Sequence, residues 1–353
     1  MARLSTLKLT MATTILIVGI VFAVFLAVLM YVISLFWQLP PLEMYGIAVI
    51  GAGFFILIEY LIGPSIVSAG TKLVYVNPGE NPWLEETVKK FADKSGFPMP
   101  KIAVVPDETP NAFIFGRTAG SATLAVHSGL LKQLSEPEVE GVIGHEFGHL
   151  NHKDYLVMTA LAAIPLLAFL IARVSFDAMR FGRFRGRGKG AGLVWGTILV
   201  SAAISYLVYL ITQLCVMRLS RLREHYADAY SAYLTGQPRE LESALTKISY
   251  GLSLSPEPPH GARTLFIGDP AWAKKECQDI LCNKEEYDLD KDGVLNEREL
   301  ELAMEKEAKI TWVKINALFA THPPTYRRIL LLREIDSEME SGTFTGDRKY
   351  VHI

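Results

Sequence analysis

Cysteine is scarce in this chain, with three in 353 residues. Cys215 lies inside an apolar run, and Cys277 and Cys282 stand five apart in a helix-like stretch, pointing different ways, so no disulfide framework is expected. Net charge is also nearly absent: 35 Lys and Arg against 37 Asp and Glu leave −2, which excludes the overall positive field of a nucleic-acid-binding protein. Charge is missing most completely from Met11–Trp37, Met44–Ile58 (a run that continues past Glu59 to Ile62), Tyr155–Ala172 and Gly190–Met217. Half of all residues are hydrophobic and the mean hydropathy is +0.25. A bilayer core of about 30 Å takes roughly 20 helical residues, so all four runs read as membrane spans. The first is too long for a cleaved signal peptide and carries no convincing A-x-A site, so it reads as a retained anchor. No internal repeat is present.

The expected domains follow from these runs: residues 1–63 form an N-terminal transmembrane hairpin, and 156–217 a second hydrophobic hairpin. Residues 64–155 and 218–353 are the two parts of one polar domain. In the first part, Asn81–Phe97 has the pattern of an amphipathic helix and Lys101–Pro106 that of a short strand. Asn111–Gly116 and Ala122–Leu131 carry β-branched and aromatic residues around a Gly-rich turn, as a hairpin does. Ser135 followed by Glu138 makes a capping box that opens the next helix.

That helix contains the chemistry. His145 and His149, four apart, lie on one helical face and can reach a single Zn²⁺, while Glu146 can take a proton from its water. A catalytic zinc keeps three protein ligands and one open position. The helix-like segment Ser220–Gly236 offers Glu224 as third ligand, with Asp228 one turn on to orient a ligating imidazole. His225 is the alternative third ligand but points about 100° away from that face. His152 reads as solvated or near a lipid headgroup. Glu136, Glu138, Glu140, Asn151, Lys153 and Asp154 make the motif helix too polar for hydrocarbon, which predicts a site just outside the membrane.

The segments NAFIFG, SGLL, GVIGHEFGHLNHKD, SRLREHYADAYSAYLTG and LFATHPPTYRRI, in this order and with hydrophobic pairs before and between them, resemble the HtpX family of membrane-bound zinc metalloproteases. They cover most of the chain from Met11 to Leu332. The resemblance implies a mainly α membrane protein, with four hydrophobic helices and a zincin-like α+β catalytic domain holding a small β-hairpin or sheet. It implies His145, His149 and Glu224 as zinc ligands, Glu146 as catalytic base, Asp228 behind the ligands, and His322 near the cleft, where His322 is the candidate for stabilising the oxyanion. Asn111, Ala112 and Phe113 would border the substrate groove. The expected activity is zinc endopeptidase cleavage of membrane or membrane-proximal, misfolded polypeptides; the alternative within the broader group is processing of prenylated CAAX-type C-termini. The protein would be multi-pass in the cell membrane with its catalytic side cytoplasmic. Near-membrane cations vote the same way: Arg3, Lys8, Lys72, Lys153, Arg218, Arg221 and Arg223 on the catalytic side outnumber Arg180, Arg183, Arg185, Arg187 and Lys189 in the Ser175–Gly190 loop. That loop's second reading is a hairpin tip that dips into the bilayer without crossing and binds anionic headgroups.

One insertion, about residues 271–312, departs from the HtpX pattern. Asp288–Glu299 has EF-hand spacing: Asp288, Asp290 and Asp292 at loop positions one, three and five, Gly293 at the turn, and Glu299 as closing bidentate ligand. Val294 would offer its carbonyl and Asn296 a contact through water, giving a Ca²⁺ loop. A catalytically silent calcium-sensing membrane scaffold is therefore the reading from another class. An intact base, ligand set and supporting carboxylate favour the enzyme. The sequence leaves the oligomeric state open.

Overall fold

The computed structural model describes residues 4–37, 40–181, 189–254, 266–268, 273–274, 284–287, 289, 303, 306, 320–346, 349–350 and 353. In chain order the first half gives α1 (Leu4–Trp37), α2 (Pro41–Thr71), β1 (Val74–Tyr75), α3 (Pro82–Ser95), β2 (Lys101–Val105), β3 (Ala112–Phe115), β4 (Thr123–His127) and α4 (Ser128–Gln133). Then come α5 (Glu136–Asn151), α6 (Asp154–Phe181), α7 (Lys189–Thr235), α8 (Pro238–Leu254), a short turn at Lys284–Tyr287, and α9 (Thr325–Glu340).

An apolar run long enough to span a bilayer must satisfy its own backbone, and among open-ended structures only a helix does so. Thr6–Ser34, Leu42–Thr71, Asp154–Arg180 and Val194–Thr235 are long and apolar enough to cross a membrane. One compact unit, Lys8–Gly63 with Leu156–Leu219, collects them. Phe22, Phe25, Leu26 and Leu29 of α1 pack there with Ala168 of α6 and Val208 of α7, flanked by Tyr45, Ala48 and Ala52 of α2. Leu16, Ile47, Ile50 and Leu207 point outward, each more than half exposed. An apolar surface of this extent is what a helix bundle presents to lipid.

The second unit comprises Met1–Leu7, Pro64–Tyr155 and Ser220–Ile353. Its four-stranded sheet has the order β1-β2-β4-β3. The expected strand and hairpin are both present: β2 runs parallel to β4 from Lys101↔Thr123 to Val105↔His127, and β3 pairs antiparallel with β4 from Ala112↔Val126 to Phe115↔Thr123. The amphipathic helix is α3, opened by Asn81 accepting from the Leu84 N–H and closed by Gly96 at φ 71, the left-handed conformation glycine adopts without strain. Phe91 of α3 meets Phe147 of α5 edge to face, centroids 6.0 Å apart. At the start of α5, Glu138 accepts from the Ser135 N–H at 2.8 Å, completing the box read from the sequence. The buried Glu138 carboxylate also accepts from Ser243 Oγ at 2.5 Å and pairs with Lys247 at 2.6 Å, fastening α5 to α8.

Candidate active site

Three glycines let the motif helix approach its neighbours closely, two against α7 and one against α8. A Cβ added at Gly144 would stand 2.8 Å from Ser231 Oγ, and one at Gly148 would stand 2.7 Å from the Ala227 Cα. Gly141 meets α8 in the same way, 3.0 Å from the Leu241 N. The Ser231 hydroxyl donates to the Gly141 carbonyl at 2.6 Å, tying the two helices. This contact brings the Ser220–Thr235 end of α7 against the face carrying His145 and His149.

The side chains then converge. One donor atom each from His145, His149 and Glu224 lie within 4.8 Å of one another. Glu224 Oε2 is 3.4 Å from His145 Nε2, and Glu224 Oε1 is 3.5 Å from His149 Nε2. The two Nε2 atoms face each other at 3.1 Å. Behind each imidazole stands a carboxylate: Asp228 Oδ1 at 2.8 Å from His145 Nδ1, and Asp154 Oδ2 at 2.7 Å from His149 Nδ1. A proton on Nδ1 of each ring satisfies these carboxylates and leaves both Nε2 lone pairs directed at the centre. Each carboxylate is backed by a buried arginine. Arg328 donates through Nε and Nη2 to Asp228 at 2.8 and 2.7 Å, and Arg223 pairs with Asp154 at 2.6 Å.

This donor set fits a metal cation. Glu224 Oε2 is buried without a hydrogen-bond partner among the described residues. Burial pushes the His145 imidazole down, yet the neighbouring carboxylates of Asp228 and Glu224 outweigh it and raise the pKa to about 9. The pocket is set for positive charge, which a dication supplies in place of a proton. Two imidazoles and a carboxylate are the protein ligands of a zinc hydrolase that keeps one position open.

Glu146, also buried, accepts from the Ile114 N–H at 2.9 Å, and burial pushes its carboxyl up. His322 joins the centre: it is buried, with Nε2 at 3.8 Å from Glu224 Oε1 and Nδ1 at 2.9 Å from Thr321 Oγ1. Its segment is held by Arg221, which donates to the Ala320 carbonyl at 2.8 Å. Asn111 and Phe113 are turned inward. The Asn111 amide oxygen accepts from the Ile267 N–H at 3.0 Å, and Phe113 packs with Val105 and Ala125. What β3 presents at the edge of the sheet is backbone. His225 stands beside Glu224 and lies outside the converging group.

One expectation is corrected. His152 is neither solvated nor at a headgroup: it is buried, shares a 2.8 Å hydrogen bond with the Tyr350 hydroxyl, and burial lowers its pKa to about 4. The calcium-loop residues Asp288, Asp290, Asp292, Val294, Asn296 and Glu299 lie outside the described residues. The residues flanking that loop, Tyr287 and Ala303, pack with Ile329 of α9. Sequence reading missed Asp154, Arg223 and Arg328. Asp154 passed for a polar flank and Arg223 for a membrane-surface cation, while Arg328 sat unremarked in the THPPTYRRI segment.

A mainly helical chain with four membrane-length helices and a largely buried His–His–Glu group, with a carboxylate beside the first histidine, falls in the class of membrane-bound metallopeptidases. Residues 78–336 match Peptidase family M48, and the chain belongs to this family, among the HtpX proteases. A protease HtpX homolog of Aeropyrum pernix is 34% identical over 290 residues, spanning 80% of this chain and 84% of that protein. The homolog of Methanothermobacter thermautotrophicus is 38% identical over 256 residues, 72% of this chain and 90% of the other. That of Methanocaldococcus jannaschii is 33% identical over 309 residues, 87% and 92% of the two chains. The crystal structure of S. mikatae Ste24p aligns over 93% of this chain and 66% of that one, with a TM-score of 0.48 and 19% identity.

Proposed function

We propose that the Met1–Leu7, Pro64–Tyr155 and Ser220–Ile353 unit is a zinc endopeptidase domain that cleaves misfolded polypeptides in or beside the membrane, on its cytoplasmic side. The observation that carries this is the convergence of His145, His149 and Glu224, each ligating histidine braced by its own carboxylate. These three residues would hold a zinc ion, which would supply Lewis-acid polarisation of the scissile carbonyl and lower the pKa of a bound water to about 7. Glu146 accepts the proton of the attacking water and hands it to the leaving amine, a contribution of about 10²–10⁴-fold in rate. Its burial and the Ile114 N–H fix the carboxylate for that task. His322, with its Nε2 at 3.8 Å from Glu224 Oε1, donates to the developing oxyanion.

The peptide lies along β3. Ile114 turns its N–H away from β4 and toward Glu146, so the open edge of this strand faces the reacting group. An extended chain added there has its backbone aligned by main-chain hydrogen bonds with little demand on side-chain identity. A protease of misfolded chains needs such tolerance. Glu146→Gln tests the reading: purified in detergent, the variant should keep its zinc and lose at least about 100-fold in casein cleavage, since no ligand is removed but the base is. Cleavage near the wild-type rate would reject Glu146 as base.

A further inference from the structure

The corner joining α5 to α6 is strained at the place where the metal site depends on it. Lys153 adopts φ 59, the left-handed region that residues with a Cβ rarely enter. The next residue, Asp154, is the one that reaches back to His149 Nδ1. Relaxation of Lys153 to an ordinary conformation would carry Asp154 away from the imidazole. Something must therefore hold the corner on both sides. On the Asp154 side it is Arg223, at 2.6 Å. On the other side it is His152, which caps α5 and is buried.

His152 is itself held from far along the chain. Its Nε2 shares a hydrogen bond with the Tyr350 hydroxyl at 2.8 Å, a contact across 198 residues, while its Nδ1 is buried without a hydrogen-bond partner among the described residues. The Asn151 side chain bonds to the same hydroxyl. Tyr226 and Tyr230 of α7 enclose the imidazole edge to face, both with centroids at 5.9 Å, and the Tyr350 ring closes on Tyr226 at 4.9 Å. Lys349 anchors this segment, its ammonium 4.2 Å above the Tyr233 ring. A Phe at position 350 would fill the same space and leave the buried imidazole with neither nitrogen satisfied, a state that favours opening of the corner.

We propose that Tyr350 is a positioning residue of the metal centre, its hydroxyl acting through His152 to hold the left-handed corner at Lys153 that delivers Asp154 to His149. The inference rests on the reading of His149 as a metal ligand. Removing a group behind a ligand typically weakens metal binding about 10- to 100-fold.

The test is zinc affinity of the full chain in detergent, measured by competition with a chelating dye. Tyr350→Phe should weaken zinc binding about tenfold. Adding Lys153→Gly should recover most of that loss, because glycine holds the left-handed conformation without an external clamp. Arg333→Ala, which breaks a partly buried pair with Glu242 on α8, should lower the melting temperature while leaving zinc affinity within about twofold, as expected for independent sites. Tyr350→Phe with wild-type affinity, or a loss that Lys153→Gly fails to recover, would overturn the proposal. His149→Ala that binds zinc like wild type would overturn the ligand reading, and this proposal with it.

Discussion

Glu138 shows how a residue can be read correctly from the sequence and still be underestimated. The capping box gave it one partner, the Ser135 N–H; the fold adds Ser243 and Lys247. Burial pushes its carboxyl up, but these bonds to the ionised form outweigh burial and hold the pKa below its ordinary value. A depressed folded pKa contributes stability above the unfolded value of about 4.3 and loses it as pH falls through the folded one. Glu138→Gln should therefore cost about 1–2 kcal/mol at neutral pH, a figure kept low because Lys247 is half exposed. The difference between the two proteins should shrink below pH about 4.3. Thermal melts of both in detergent from neutral to acid pH check this; a gap that stays constant would reject it. The same pattern runs through the site. Motif spacing named His145, Glu146 and His149 because those residues are local, and helical periodicity added Glu224 and Asp228. Asp154, Arg223 and Arg328 escaped because nothing in their spacing shows which buried partner a charged side chain will meet.

The elements were mostly legible where local rules decide them. Uncharged runs became membrane-length helices, and Asn81, Gly96 and the box at Ser135 marked helix ends. The spacing of Asp288–Glu299 reads as a calcium loop from the sequence alone. Packing between elements was not legible. Gly144 and Gly148 look like ordinary helix residues in GHEFGH, yet they set how near α7 comes to α5. Gly148→Ala places a methyl group 2.7 Å from backbone of Ala227, an atom that cannot turn aside. The helices must then part, and Glu224, one turn before Ala227, retreats from the histidines. Such overpacking costs about 1–3 kcal/mol, and zinc content should fall with the melting temperature. A variant with unchanged zinc and unchanged melting would show that the close approach is dispensable.

At the scale of the whole molecule, orientation in the membrane rests on charge. Two of the seven catalytic-side cations, Arg221 and Arg223, are turned to the Ala320 carbonyl and to Asp154. Topology is set by Lys and Arg as the chain inserts, before those contacts form, so both still count toward a cytoplasmic catalytic unit. A cysteine placed at Asn81 should be labelled from the cytoplasmic side and one in the Ser175–Gly190 loop from the opposite side. Labelling of both from one face would make the second hairpin a dipping one, and labelling of Asn81 from outside would invert the protein. Neither result would move the His145–His149–Glu224 group, which is internal to one unit of the fold.

The assignment on which everything else depends is that His145, His149 and Glu224 hold one zinc ion between them. Metal analysis of the purified chain tests it directly, comparing wild type with Glu224→Ala. Wild type should carry about one zinc per chain, and Glu224→Ala well under half of that after dialysis against a mild chelator, since a site of three protein ligands is reduced to two. Full zinc retained by Glu224→Ala would contradict the assignment and move the third ligand elsewhere, with His225 the first residue to try.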